Sequence, residues 1–461
     1  MDDAPVPSRR TVHLLVLALG LPTFLVAMGN LVMTFALPEI RDAFTANAAQ
    51  LQWVLNSYTL VFAALLLPAA VAGDRWGRRR VFVTGLTVFT VASLLAVFNG
   101  ALWMLVLLRA VQGAGAAAVV PLAMTLLVDH VPETRLPAAL GAVSAVNGLG
   151  VAVGPVVGGA VTQWGSWPMV FWMNVIVGVV ALLLVLWAVD EVPDTAAGDA
   201  DTVSTVLVGG LVLGLGWLLA EVGLESGAPG GQVLPLLITA LAAVALVLRR
   251  NRPGYLLGAP LLRDRTFVLA GVVAFLFSAG VFGAVFALSL FIQIVRDQGA
   301  LDAALWAAPW TLSPVLVAPV AGFLTGKVGM RVVLTGGLVL QVAAICWFAV
   351  GVGTMTSAAD AFAPALLAGV GMGLVFPSLA AAVFVGRDIG ERGLASGVNN
   401  TLRQLGTAVG VAVTAAVIAG GGDVTADVLQ TGVRPAVLVC AALTALAACT
   451  AAVLPSRLNA R

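Results

Sequence analysis

The second half of this chain repeats its first at an offset of 252 residues. The segment GAVSAVNGLGVAVG, from Gly141 to Gly154, aligns with GLASGVNNTLRQLG, from Gly393 to Gly406. Gly141 then meets Gly393, Ser144 meets Ser396, Val146 meets Val398, Asn147 meets Asn399 and Gly154 meets Gly406. The same shift lays Gly77 on Gly329, Arg79 on Arg331 and Gly85 on Gly337, in short basic stretches that each precede an apolar run. A third pair, QGAGAAAVVP ending at Pro121 and AGVGMGLVFP ending at Pro377, keeps a Gly-x-Gly-x5-Pro spacing at an offset of 256. Two like helical halves in one membrane chain are the signature of a secondary transporter, in which substrate binds between halves that rock about it.

Composition places those halves in a bilayer. With 61% hydrophobic and 10% charged residues and a mean hydropathy of +1.06, a soluble 461-residue protein would expose far more apolar surface than water tolerates. The longest polar connection, Asp190 to Asp201, is too short to house separate chemistry. A net charge of +1 argues against nucleic acid as a partner. The N-terminal MDDAPVPSRR lacks the small-residue cleavage site of a signal peptide, so the first apolar run is expected to be a retained span.

Apolar runs of about 18 to 25 residues number fourteen: 13–38, 50–72, 81–99, 101–127, 136–162, 168–189, 203–222, 232–248, 267–295, 304–325, 332–353, 361–385, 394–419 and 434–454. The repeat matches the first six to the last six. The expected organisation is therefore an N-terminal six-helix bundle (1–190), two inserted spans with their flanking loops (191–266), and a C-terminal six-helix bundle (267–461). With the N-terminus in the cytoplasm, 18 of the 23 Lys and Arg fall on inner connections. Only Arg41, Arg296 and Arg434 fall on outer ones, and Arg109 and Arg403 lie within spans. That asymmetry sets the orientation and puts both termini inside.

Other chemistries find no footing. Cys346, Cys440 and Cys449 sit in apolar spans without metal spacing or a disulfide framework, and read as packing residues. His13 and His130 are isolated at span ends, so no His/Asp/Glu cluster supports a membrane-embedded enzyme, and no cofactor or metal is expected. No phosphate-cradling Gly-x-x-x-x-Gly-Lys-Ser/Thr loop occurs, which removes ATP as a direct energy source. A channel calls for a continuous polar stripe and a receptor for a soluble effector domain; neither is visible. The 51 glycines cluster in spans 4, 5, 12 and 13, where small residues allow close helix contact.

Five motifs in order carry a family resemblance. Gly73-Asp74-Arg75-Trp76-Gly77-Arg78-Arg79-Arg80, between spans 2 and 3, resembles the signature loop of the major facilitator superfamily. Arg109-Ala-Val-Gln112-Gly113-Ala-Gly115 in span 4 resembles its second motif. Gly150-x-x-x-Gly154-Pro155-x-x-Gly158-Gly159 in span 5 resembles the motif of its drug antiporters. The PLLRDRTF stretch before span 9, the GVNNTLRQLGTAVG stretch in span 13 and the span count resemble the fourteen-span drug:proton antiporter branch. The resemblance covers nearly the whole chain. It implies an all-α major facilitator fold with fourteen transmembrane helices, drug efflux, and exchange for protons.

The motifs also have physical readings. Asp74 is a lone acid among Arg75, Arg78, Arg79 and Arg80, where a positive-inside anchor explains the arginines but not the carboxylate. An acid there can face the positive N-terminal end of a helix that starts at the cytoplasm. The resemblance makes that helix span 13, with Arg78 and Asp129 completing a charge network between the halves: a gate latch. Arg109 lies about two turns into span 4 from the outer side, where a guanidinium needs a wet cavity, a partner or backbone carbonyls. The resemblance implies that it influences proton uptake by nearby acids. Gly154-Pro155 and Gly158-Gly159 remove a backbone donor and side-chain bulk, which permits a bend and close contact with the other half, and the resemblance ties this to export.

Two departures stand out. Relatives of this branch carry an acid in the first span, in a stretch like LDxTxVNVALP, whereas AMGNLVMTFALP here has Gly29 at that position. The Trp-Arg-Trp stretch after span 5 is replaced by Trp167-Pro168-Met169. No acid lies at mid-depth in any span; Glu39, at the outer end of span 1, and Glu221, near that of span 7, are the nearest proton carriers.

The sequence thus predicts a monomeric, multi-pass transporter of a bacterial inner membrane that expels small amphipathic or aromatic organic compounds. The alternative is a dedicated exporter of one metabolite, such as a self-made antibiotic. The expected cavity is lined by Asn30, Thr34, Asn56, Tyr58, Gln112, Asn147, Trp306, Trp310, Asn399, Asn400 and Gln404.

Overall fold

The computed structural model describes residues 9–132, 135–191, 202–222, 233–249, 264–384, 389–419 and 426–455. These form fourteen α-helices: α1 (Arg9–Phe44), α2 (Ala48–Trp76), α3 (Arg78–Val97), α4 (Leu102–His130), α5 (Leu136–Trp164), α6 (Pro168–Ala188), α7 (Thr202–Val222), α8 (Val233–Leu248), α9 (Arg265–Leu290), α10 (Ala300–Val328), α11 (Met330–Gly351), α12 (Ala358–Phe384), α13 (Ile389–Ala419) and α14 (Ala426–Ala451). A π-helical turn, Phe291–Val295, prolongs α9. Eleven are apolar and long enough to cross a bilayer, and α5, α7 and α8 take the places of the fifth, seventh and eighth expected spans. Several outrun the hydrocarbon: the 36 residues of α1 span about 54 Å, so its ends carry Arg41 and Glu39 beyond the apolar stretch Val12–Gly29.

The surface is that of a protein dissolved in lipid. Leu183, Leu241, Leu316 and Phe323 are exposed, while Trp76, Trp103, Trp164 and Trp187 stand exposed at helix ends, where indole rings settle at the boundary between acyl chains and headgroups. Polar groups turn inward: Asn56, Ser93, Arg109, Gln112, Asn174 and Gln341 are all buried. Prolines within α1, α2, α4, α5, α12 and α14 leave helices intact, as neighbours in a bundle resatisfy the freed carbonyls.

The internal repeat reappears as packing. In the first half α1 packs on α5, α2 on α4, α3 on α4 and on α6; eight helices later, α9 packs on α13, α10 on α12, α11 on α12 and on α14. The contacts that join the halves, α2 on α13 and α5 on α10, are images of each other under the same shift. Glycine makes them possible. A Cβ at Gly85 would stand 2.8 Å from the Gly115 carbonyl oxygen, and at the repeat-related positions a Cβ at Gly337 would stand 2.8 Å from that of Gly371. Gly77 (φ +99°) and Gly329 (φ +89°) turn α2 into α3 and α10 into α11 through backbone that L side chains avoid.

Helices α7 and α8 break the symmetry. A Cβ on Gly216 of α7 would run into Leu60 of α2 and stand 2.9 Å from Leu405 of α13, so α7 seals one of the two seams between the halves. Helix α8 packs on the far side of α7.

Candidate functional site

The basic loop after α2 folds into a charged knot. Arg78 Nη1 donates to both carboxylate oxygens of Asp129 of α4 at 2.7 and 2.8 Å, and Arg78 Nε donates to Asp74 Oδ1 at 2.9 Å. Arg75 Nη1 donates to Thr202 Oγ1 of α7 at 3.1 Å, and Arg79 Nη2 donates to the Leu186 carbonyl of α6 at 3.0 Å. Arg80 lies 3.8 Å from Glu191. All of these links join helices α2, α3, α4, α6 and α7. The expected reach to the start of α13 falls on side chains outside the described residues.

Deeper in, α4 carries a buried cation. Arg109 is 1% exposed; its Nε donates to the Val54 carbonyl of α2 at 3.2 Å and its Nη1 donates to Gln112 Oε1 at 3.1 Å. The guanidinium lies 4.3 Å from the centroid of the Tyr58 ring, and Nη2 has no protein partner. Gln112 passes its Nε2–H to Ser93 Oγ at 2.7 Å, and Tyr58 donates its hydroxyl to the Val26 carbonyl at 3.3 Å. Tyr58 and Gln112 are therefore committed to this cluster rather than to an open cavity. The Cβ that Gly29 lacks would lie 4.0 Å from the Tyr58 hydroxyl, with no other atom outside its own helix turn that close. The place where a first-span acid would stand is thus vacant beside the Arg109 cluster.

Two cavities lie between the halves. One, of about 20 Å³, is lined by Thr34 (α1), Asn56 and Thr59 (α2), Phe282 and Val285 (α9), and Thr407 and Val411 (α13). The other, also of about 20 Å³, shares Val285 and is walled by Phe35, Trp306, Trp310 and Phe348. Trp310 stacks on Phe348 at 5.9 Å and 12° between planes. The Asn56 amide and the Trp310 indole N–H are buried without protein partners, the state expected of groups that meet cargo or water. The sequence pattern names Thr34, Asn56, Trp306 and Trp310 of this lining and misses Thr59, Ser289 and Thr407 as well as its apolar members.

On α13, Thr407 and Val411 follow Arg403 at i+4 and i+8, so Arg403 lies on the cavity face one turn toward the α13 N-terminus. Its guanidinium sits 4.8 Å from the Phe376 centroid and its Nε is buried without a protein partner. Among the described residues the ion pairs are Arg41–Asp42, Arg78 with Asp74 and Asp129, and Arg80–Glu191, all at helix ends.

At the other end of the bundle, Gly159 of α5 lies against α10, where its Cβ would stand 2.5 Å from the Ala300 carbonyl oxygen, while Gly158 packs on Val32 of α1. Gln163 Oε1 accepts the Leu301 backbone N–H at 3.0 Å. The Gly158-Gly159 pair thus lets α5 touch both halves. Glu39 is half-buried nearby: burial lifts its carboxyl above the ordinary carboxylate range, against the pull of the Trp167 backbone N–H that it accepts.

A packing repeat of six and six, a charged turn after the second helix and a cavity between the halves meet a family model described as Major Facilitator Superfamily, which matches residues 19–411. The chain belongs to the major facilitator superfamily. It is 29% identical over 416 residues to "Multidrug resistance protein Stp" of Mycobacterium tuberculosis, a match that spans 89% of this chain and 76% of that protein. It is 34% identical over 410 residues to "Cephamycin export protein CmcT" of Amycolatopsis lactamdurans, spanning 86% and 83%. Its fold resembles a crystal structure of a bacterial homologue of the human lysosomal transporter Spinster in an inward-facing, occupied conformation, with a TM-score of 0.71 and 16% identity over 96% of this chain and 97% of that one.

As a major facilitator chain, it places the remaining expected residues as follows. Asn147, Asn399, Asn400 and Gln404 are half-buried, and Asn399 Oδ1 is a buried atom without a protein partner. The side chains of Asn30 and Glu221 lie outside the described residues.

Proposed function

We propose that this protein is a secondary transporter of a bacterial inner membrane that exports small amphipathic organic compounds, in exchange for protons, with both termini in the cytoplasm. It acts as a monomer. The observation that carries the reading is the pair of cavities between repeat-related halves, lined by Asn56 and Trp310 with unspent hydrogen-bonding groups and walled by aromatic rings. Such a lining suits cargo with a flat apolar body and few polar points. Likeness to a multidrug resistance protein and to a cephamycin export protein supports efflux as the direction. The likeness to the cephamycin exporter favours the second reading, a dedicated exporter of one metabolite.

Proton exchange needs a group that titrates in the physiological range, and Glu39 meets that need best among the described acids, since its carboxyl already holds its proton to higher pH than an exposed one. The test is uptake of a compound panel into inverted membrane vesicles under an imposed pH gradient. Uptake of several unrelated amphipaths supports broad efflux, and uptake of one supports the dedicated exporter. Glu39→Gln is expected to abolish the dependence on the gradient while counterflow exchange survives. Full gradient-driven uptake in that variant would remove Glu39 as the proton carrier.

A further inference from the structure

The charges inside the membrane do not balance. Two arginines lie within the spans, Arg109 in the first half and Arg403 in the second, and no Asp or Glu lies anywhere in 43–73, 75–128, 134–189, 303–359, 361–387 or 392–422. Each arginine leaves a buried N–H without a protein partner, Nη2 of Arg109 and Nε of Arg403, and neither takes part in an ion pair among the described residues. A cation held in a low-dielectric interior without its counter-charge is costly, and chains keep such groups where something else supplies the charge. Arg109 has a partial answer, because it is clamped by the Val54 carbonyl, Gln112 and the Tyr58 ring and hardly touches open space. Arg403 has less. Among the described residues it rests on the Phe376 ring, and helical register sets it on the face of α13 whose next two turns, Thr407 and Val411, line the cavity.

Resting on the efflux reading above, we infer that the cargo is an organic anion, an aromatic or otherwise flat body bearing a carboxylate or sulfonate that pairs with Arg403 while the body lies against Trp306, Trp310 and Phe348. The guanidinium fork matches such an oxyanion and is less strongly hydrated than an ammonium, so it surrenders water at small cost when cargo arrives. Arg109, fixed behind α2, adds to the positive potential of the same space without contacting the cargo. Among the described residues, a cationic drug would meet two like charges there and no acid. The vacancy at Gly29 acts in the same direction, since an acid in that place would neutralise Arg109 and offset the field.

The experiment uses the full-length protein in proteoliposomes and three dyes: 8-anilinonaphthalene-1-sulfonate, N-phenyl-1-naphthylamine, which has the same rings without the sulfonate, and the cation ethidium. The wild-type protein is expected to bind and move the sulfonate in preference to the other two. Arg403→Gln should lower the ratio of sulfonate to neutral-dye affinity by about tenfold or more, the effect of losing one charged hydrogen bond, and Arg403→Lys should recover part of that ratio. A wild-type protein that takes ethidium or the neutral dye and refuses the sulfonate overturns the inference and leaves efflux standing, as does an Arg403→Gln variant with an unchanged ratio. Failure of all three dyes to bind or move overturns the efflux reading and the inference with it.

Discussion

At the scale of single residues, the informative position is one that has no side chain. A Cβ at Gly29 would lie 4.0 Å from the Tyr58 hydroxyl, and the same tyrosine carries Arg109 on its ring at 4.3 Å. An acid introduced there has room to stand and a cation to meet. Gly29→Asp is therefore expected to fold, with a melting temperature in detergent close to that of the parent, and to change function in two ways. A carboxylate beside buried Arg109 forms a titratable pair inside the membrane, so transport should gain a dependence on the pH gradient that the parent lacks at this position. The same carboxylate cancels the field of Arg109, so affinity for 8-anilinonaphthalene-1-sulfonate should fall by about tenfold, the effect of one unit charge in a poorly screened site. Equal sulfonate affinity in parent and variant would show that Arg109 contributes nothing to cargo selection.

At the scale of elements, the loop between α2 and α3 is the place where the family resemblance implies a latch between the halves. The described bonds instead tie α2 and α3 to α4, α6 and α7, and Arg78 divides itself between Asp129, whose side chain is 17% exposed, and Asp74, whose side chain is 49% exposed. The two carboxylates should therefore respond differently to removal. Asp129→Asn breaks a half-buried charged pair and should cost on the order of 2 kcal/mol, read as a lower melting temperature. Asp74→Asn removes a solvent-screened partner and should cost under about 1 kcal/mol, yet slow transport strongly if Asp74 engages α13 during the cycle. Normal turnover in Asp74→Asn would leave the loop a staple of one half. Spans, repeat and glycine faces were legible in the sequence because apolar length and small-residue spacing act locally, helix by helix. The partners of Arg109 and Gln112 were not, because Ser93, Val54 and Tyr58 lie on two other helices and only packing brings them to α4. Thr407 and Val411 were overlooked although they stand at i+4 and i+8 from Arg403, since a threonine and a valine carry no signal until their neighbours on α9 are known.

At the scale of the whole molecule, the two seams between the halves are related by the repeat but not equally covered. The α2–α13 seam is sealed by α7 through Gly216, whereas among the described residues the α5–α10 seam has no inserted helix over it and is held at one end by Gly159 against Ala300 and by Gln163 on the Leu301 N–H. In the proposed orientation, with both termini in the cytoplasm, that end faces outward. If the halves rock about the central cavities, this contact must open in every cycle, while the contact across α7 slides. A lock placed there tests the motion directly. In a background lacking Cys346, Cys440 and Cys449, the double variant Gln163→Cys, Leu301→Cys should be joined by a short bifunctional thiosulfonate reagent and lose most of its transport, with full recovery on reduction. Each single variant, treated in the same way, should keep its activity. Binding of dye from the inner side should survive the lock, because only the outer end is closed. Full transport by the cross-linked protein would mean that α5 and α10 never part at this end, and rigid rocking of two halves would then give way to a local gate.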